Sequence, residues 1–261
     1  MPEFTQVPSQ LIQKLRTAKR VVVFTGAGVS AESGIPTFRD ALTGLWEQFD
    51  AEDLATRQAF QRNRSLVWGW YEWRRSRVMA ALPNLAHRAI AAMGSHVPEL
   101  IVVTQNVDDL HERGGCAAVC HLHGSLFKPR CFACGRPHEF PPGIPDEPEG
   151  GRLLEPPRCD RCNGFVRPGV VWFGESLPAN EFGFASRVIK GCDVFFSIGT
   201  SSLVYPAADL PAVAAQCGAT VVQVNPLPTP LDACCRYNLR GPAATVMPAI
   251  LEAAWGTRPV P

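Results

Sequence analysis

The chain has 261 residues, with 25 Lys and Arg against 24 Asp and Glu and a formal net charge of +1. That near-neutral balance gives no electrostatic reason to expect a nucleic acid or a membrane surface as partner. The length suits one large domain, or one domain carrying a substantial insertion.

Lys14, Arg16, Lys19 and Arg20 lead into the apolar run Val21-Val22-Val23-Phe24-Thr25. That run is only a strand long, so it is neither a signal peptide nor a membrane span, and no later run is long enough to span a bilayer; the expected location is the cytoplasm. The run breaks into Gly26-Ala27-Gly28-Val29-Ser30-Ala31, with the G-x-G-x-x-G/A spacing of a dinucleotide-binding turn. Such a turn, ahead of a helix-forming stretch, is expected to offer bare backbone N–H groups to a phosphate. The spacing alone recurs by chance. The stretch beyond it, Pro36-Thr37-Phe38-Arg39, adds a proline, an aromatic and an arginine that a hydride-transfer site does not require.

Residues 41–80 carry a helical, aromatic-rich pattern with no strand-like run. Within them Tyr71 and Arg74 fall three apart, on one helical face. A phenol beside a guanidinium can hold a carboxylate through charge-assisted hydrogen bonds. It can equally be a surface arginine beside a half-buried tyrosine, and spacing alone favours the second reading. Leu85–Met93 is helical in pattern, and Leu100–Thr104 is a buried strand. Gln105-Asn106-Val107-Asp108-Asp109-Leu110-His111 follows, where open α/β sheets bind ligands. Asn106 and Asp108 suit an amide such as that of nicotinamide, or an Asx turn capping a short helix.

In His121-Leu122-His123-Gly124 a strand would turn both histidines to one face, as structural groups or, at a strand end, as a general base. Residues 131–162 are rich in proline and glycine and too poor in apolar residues to fold around a core of their own. They contain two C-x-x-C pairs, Cys131/Cys134 and Cys159/Cys162, which predict a closed, structural Zn²⁺ site; a redox pair or disulfides are the alternatives. Cys116, Cys120, Cys192, Cys217, Cys234 and Cys235 read as reduced thiols.

The remainder alternates: helix Asn180–Ile189, strand Val194–Ile198, the turn Gly199-Thr200-Ser201-Ser202, helix Pro206–Gln216, strand Thr220–Val224 and then Asn225-Pro226. Small polar turns at strand ends suit ribose or phosphate. The alternation predicts an α/β fold, a Rossmann-like parallel sheet with helices on both faces, plus an inserted smaller zinc-binding and helical part. The expected division is a large part from 1–40, 95–128 and 166–261, and a small part from the helical insertion 41–94 and the zinc module 129–165.

Gly26-Ala27-Gly28-Val29-Ser30, Gly34-Ile35-Pro36-Thr37-Phe38-Arg39, Thr104-Gln105-Asn106-Val107-Asp108, His121-Leu122-His123-Gly124, the four cysteines and Gly199-Thr200-Ser201 occur in this order. From about Ala18 to the C-terminus the chain thereby resembles the sirtuins, of bacterial type. The resemblance implies an NAD-dependent protein-lysine deacylase with one structural zinc, consuming NAD and releasing nicotinamide and 2′-O-acyl-ADP-ribose. It makes His123 the general base, accepting a ribose proton after the acyl oxygen attacks C1′. Asn106 and Asp108 would position nicotinamide and ribose, flanked by Gln105 and Val107. Gly26, Ala27, Gly28 and Ser30 would serve the diphosphate, and Phe38 and Arg39 would cover the reacting ribose. Gly199, Thr200, Ser201, Asn225, Pro226, Leu227 and Ala243 would take the adenosine half. Val171, Phe173, Gly174 and Glu175 belong to the edge against which substrate peptide would pair.

The resemblance also reverses the reading of Tyr71 and Arg74. Sirtuins that remove negatively charged acyl groups carry a Tyr-x-x-Arg pair there and a small residue in Asp53-Leu54-Ala55-Thr56. Ala55 would leave room for the acyl chain and Tyr71 with Arg74 would bind its carboxylate, making succinyl-, malonyl- or glutaryl-lysine better substrates than acetyl-lysine, with deacetylation retained. Thr37 stands where many members have Asp, and Val107 where Ile is common. The expected partners are acylated lysines of proteins, with neither nucleic acid nor membrane, and the chain is expected to act as a monomer. An ADP-ribosyltransferase on the same scaffold, a non-enzymatic NAD-binding module and a simple dehydrogenase are the rivals. A dehydrogenase would want an acidic residue at the end of a second strand about 20 positions past the glycines, and here that region reads as helix and loop.

Overall fold

The computed structural model describes residues 6–36 and 49–259. Six parallel strands form its centre: β1 (Arg20–Thr25), β2 (Glu99–Thr104), β3 (Val119–His121), β6 (Val194–Ile198), β7 (Thr220–Val224) and β8 (Tyr237–Leu239), in the order β3-β2-β1-β6-β7-β8. Counted within the sheet alone this is the 3-2-1-4-5-6 order of doubly wound dinucleotide-binding folds. The strands are apolar without interruption because both faces are covered. Val21, Val23, Val102, Phe196 and Val222 face one core, and Val22, Phe24, Val103, Phe195 and Val221 face the other.

The first core is closed by α1 (Ser9–Thr17), α5 (Leu85–Met93) and α9 (Ala243–Trp255), and the second by α7 (Ala179–Lys190) and α8 (Leu210–Gln216). α5 turns Ala86, Ala89, Ile90 and Met93 inward at helical spacing. It therefore packs on the sheet, and not in the smaller part to which the 41–94 boundary assigns it. No helix among the described residues is long and apolar enough to cross a membrane.

A third core lies apart from the sheet, built from α2 (Ala51–Leu54), α3 (Arg57–Arg62), α4 (Arg64–Ala80) and Leu110, Leu126, Val170 and Trp172. Thr56 and Asn63 cap α3 and α4 by accepting from the backbone N–H of Ala59 and Leu66. The zinc-type segment contributes a two-stranded antiparallel ribbon, β4 (Arg130–Cys131) and β5 (Val166–Arg167). The loop between the cysteine pairs lies along α4. Leu154 N–H donates to the Ser65 carbonyl (3.0 Å), Trp73 Nε1 to that of Glu149 (3.0 Å), and a Cβ on Gly69 would sit 2.0 Å from the Arg152 carbonyl. On the same helix the Glu72–Arg75 pair is buried (2.7 Å), with Arg75 3.7 Å from the Phe140 ring centroid.

Candidate functional site

The sheet order reverses between β1 and β6, and the crevice beyond their carboxyl ends is where such sheets take ligands. Gly26 N–H donates to the Ile198 carbonyl (3.0 Å) and Gly28 N–H to that of Gly199 (2.8 Å). A Cβ on Gly28 would lie 2.8 Å from Gly199 Cα and O, and one on Gly199, whose φ is +58°, would lie 2.4 Å from Val29 N. The expectation of a row of bare donors is therefore corrected. The glycines let two turns meet backbone to backbone, and their N–H groups are spent on that contact. Val29 and Ser30 close a 3₁₀ turn onto Gly26 and Ala27. Among the described residues, the Ala27 N–H is the one within 26–30 that has no acceptor. The predicted helix is likewise replaced, within the described residues, by 3₁₀ turns at Ala27–Val29 and Ala31–Ser33. Phe38 and Arg39 lie outside the described residues.

The segment after β2 fills the floor. Ser30 Oγ donates to Asp108 Oδ2 (3.0 Å) and accepts from Asn106 Nδ2 (3.1 Å), so one buried hydroxyl ties both side chains to the glycine turn. Asp108 Oδ1 also accepts the Leu110 N–H (3.1 Å) at the start of α6 (Leu110–Arg113), so the cap and the site are one carboxylate. Burial raises the Asp108 pKa, against hydrogen bonds from Leu110 and Ser30. Gln105 Nε2 donates to Thr200 Oγ1 (3.0 Å), joining this segment to the turn after β6, while Val107 packs against the third core.

Below the floor lies a polar layer that the sequence reading passed over. Thr25 Oγ1 meets Thr104 Oγ1 (2.8 Å) and His111 Nε2 (3.0 Å), His87 Nε2 is 3.4 Å from Ser30 Oγ, and the two imidazoles stack edge to face at 4.9 Å. Burial pushes His87 down to about 4 and His111 well below the usual histidine range. The available signal is Asn84-x-x-His87, since Asn84 N–H donates to His87 Nδ1 (3.3 Å) in a capping box.

β3 ends at His121, so His123 sits in the turn beyond it. Both rings still face one way: His121 Nδ1 is 3.0 Å from the Asn106 carbonyl and His123 Nδ1 is 3.1 Å from that of Gln105. A carbonyl only accepts, so His123 Nδ1 carries the proton and Nε2 the lone pair. Burial lowers the His123 pKa, which keeps that lone pair available at neutral pH.

The remaining predicted residues gather on two sides. Val171 N–H donates to the His123 carbonyl (2.8 Å) and Phe173 N–H to that of Ala55 (2.9 Å), so the edge segment joins the histidine turn to the helical part. Gly174 follows with φ +81°. The Glu175 carboxylate is held internally by Arg167 (2.5 Å) and Arg57 (3.3 Å). Tyr71 is buried, and its hydroxyl accepts from Trp172 Nε1 (3.1 Å). Burial pushes Tyr71 up to about 12, while Arg74 opposes that shift. Arg74 itself is half-buried; burial lowers its pKa, and Tyr71 and Asp108 both favour its charge. On the far side, Ser201 neighbours Thr200, Asn225 Nδ2 donates to the Leu227 carbonyl (3.0 Å), Pro226 is exposed, and Ala243 opens α9, whose Ala244 N–H donates to Glu32 (2.8 Å).

The four cysteine sulfurs lie within 4.8 Å of one another, with Cys131 and Cys162 at 3.5 Å and Cys134 and Cys159 at 3.8 Å. These separations are too long for disulfides. They match the roughly 3.8 Å edge of a tetrahedron with ~2.3 Å metal–sulfur bonds, so the donor set fits one zinc.

A family model described as the Sir2 family matches residues 26–206. The chain belongs to the Sir2 family. Among its Sir2 relatives, a Methylococcus capsulatus protein named NAD-dependent protein deacylase is 60% identical, covering 96% of this chain and 98% of its own. A Mycobacterium tuberculosis protein of the same name is 50% identical, covering 89% and 97%. A crystal structure of a Sir2 homologue–NAD complex is 42% identical with a TM-score of 0.88, covering 97% and 96%. A Sir2–p53 peptide–NAD⁺ complex is 27% identical with a TM-score of 0.81, covering 95% and 99%.

Proposed function

We propose that this NAD-dependent protein deacylase acts best on lysines whose acyl group ends in a carboxylate, succinyl, malonyl or glutaryl, with acetyl as a weaker substrate. The observation that carries the reading is Tyr71 and Arg74 on α4. Tyr71 is oriented by Trp172, one residue from Val171, whose N–H holds the His123 carbonyl. The Arg74 charge is favoured by Asp108 on the site floor. Burial of Ala55, whose carbonyl takes the Phe173 N–H, leaves only a methyl group on that wall.

NAD, when bound, supplies a C1′ that loses nicotinamide and a ribose hydroxyl that takes over the acyl group. Ala27 and the two glycine turns would receive its diphosphate, and Thr200, Ser201, Asn225 and the start of α9 its adenosine half. Asn106 and Asp108, fixed through Ser30, would orient nicotinamide and ribose. His123 would accept the ribose proton at Nε2, because Nδ1 is committed to Gln105. The four cysteines would hold zinc as a fold element with no open coordination position. The free thiols Cys116, Cys120 and Cys192 fit the reducing cytoplasm as its location, and the two-part organisation fits a single catalytic domain acting as a monomer on protein lysines.

The test is kcat/KM on acetyl and succinyl peptides for the wild type and Arg74→Met, with products identified by mass spectrometry. Loss of a desolvated guanidinium–carboxylate contact worth ~2–4 kcal/mol lowers desuccinylation by about two orders of magnitude. Deacetylation falls far less. Equal loss of both activities refutes the carboxylate clamp, and a product with ADP-ribose attached to protein refutes deacylation as the main reaction.

A further inference from the structure

His121 is exposed to two acceptors at once. Its Nδ1 lies 3.0 Å from the Asn106 carbonyl and its Nε2 lies 2.7 Å from Glu112 Oε1. Neither an amide carbonyl nor a carboxylate donates, so each ring nitrogen must bear a proton and the ring is an imidazolium. Among the described residues His123, two residues on, is bound only through Nδ1, to the preceding carbonyl of the same segment. The two rings thus grip consecutive carbonyls, Gln105 and Asn106, in opposite protonation states.

We propose that His121 is a positioning residue for NAD cleavage: as a fixed cation it clamps the Asn106 carbonyl, and so holds the Asn106 and Asp108 side chains to Ser30. The inference rests on the roles proposed above for Asn106, Asp108 and His123. Burial disfavours the His121 charge, yet Glu112 and the Asn106 carbonyl outweigh it and raise its pKa. The cation in turn favours ionised Asp108. The charged and titratable neighbours are Glu112 and His111 on α6, Asp108 before it, Lys128 acting on Glu112, and, on α7, Glu181 acting on adjacent Cys120. Loss of the proton at Nε2 would leave a lone pair facing the Glu112 carboxylate and loosen the clamp. Activity therefore fails on the alkaline side through His121, and on the acid side through His123.

The experiment compares the wild type with His121→Leu, His121→Asn and Glu112→Gln. Three readouts are taken: kcat and KM for NAD at saturating acyl peptide over about pH 6 to 10, NAD affinity by calorimetry, and imidazole ¹⁵N shifts. His121→Leu is expected to lower kcat/KM for NAD about tenfold, one charge-assisted hydrogen bond's worth, with peptide KM unchanged. His121→Asn, whose Nδ2 falls near the place of Nδ1, recovers most of that loss and abolishes the alkaline limb. Glu112→Gln keeps a hydrogen bond but not the charge, and moves that limb to lower pH. The ¹⁵N shifts are expected to report a ring that stays protonated above the ordinary midpoint of about 6.5.

A His121 ring that titrates at the ordinary midpoint overturns the inference. So do equal losses in the Leu and Asn variants with an unmoved pH profile. An enzyme that releases no nicotinamide with any acyl peptide refutes the deacylase reading instead, while the ring shifts and NAD affinities still decide the role of His121.

Discussion

His87 has no exposed surface, and burial pushes its pKa down to about 4. In an unfolded chain the same group titrates near 6.5. Below about pH 6.5 the unfolded chain binds a proton that the folded chain refuses, so stability is intact above that pH and is lost as the pH falls toward 4. At about 1.4 kcal/mol per pH unit, this one residue removes roughly 3 kcal/mol across that window. That is a large share of the ~5–15 kcal/mol by which a domain is held folded. His111, also pushed down, acts in the same direction. The perturbation is His87→Gln, which keeps an N–H for Ser30 but cannot titrate. Urea unfolding measured at pH steps from about 8 to 4 isolates the effect, because carboxylates titrating in the same range cancel between the two proteins. The variant is expected to be less stable at neutral pH, and to gain roughly 3 kcal/mol on the wild type by about pH 4. A stability difference that does not change with pH would refute the reasoning, since it would mean that folding leaves the imidazole's proton affinity unaltered.

Four shorter expectations can be checked alongside. Gly28→Ala puts a Cβ 2.8 Å from Gly199 backbone atoms, so the two turns must part and NAD affinity measured by calorimetry falls at least tenfold; unchanged affinity would deny that the backbone contact shapes the site. Trp172→Phe removes the donor that orients Tyr71 and costs about 1 kcal/mol of transition-state binding, seen as a severalfold loss of desuccinylation larger than the loss of deacetylation. Chelation releases one zinc per chain and shifts tryptophan fluorescence as the cysteine loop leaves Trp73 on α4; retention of the native signal would detach the metal from this loop. For His123, whose lowered pKa keeps Nε2 unprotonated, the acid limb of kcat/KM falls below the ordinary histidine midpoint of about 6.5, and a limb above it would contradict the burial argument.

The four long strands were legible because both faces of each are buried, which writes an unbroken apolar run into the sequence. β8 was not, as an edge strand containing Asn238 with too few residues to show a period. Leu85–Met93 was read at its exact bounds, but its partner was not, since an inward apolar face does not say which core it enters. At the site, residue types and order single out Asn106, Asp108 and His123 as candidates, while their mutual fixing through Ser30 and the two carbonyls depends on contacts across 76 to 78 positions of chain or on a turn geometry. Glu112 gave no sign of itself, because pairing it with His121 needs the positions of both α6 and β3.

Gly69 sits in the middle of α4, where glycine costs about 1 kcal/mol relative to alanine, and the Arg152 carbonyl occupies the place a side chain would need. The spacer between the cysteine pairs thus works as a tether of set length. Both ends are anchored by the sulfurs, and its middle is indexed to the helical turn two residues before Tyr71. Insertions are expected to be tolerated best in its longest exposed run away from α4, at 141–144. Deletions would draw the metal ribbon along α4 or pull the helix out of line. The side chains proposed to select the acyl group would in this way be kept in register with a metal they never touch.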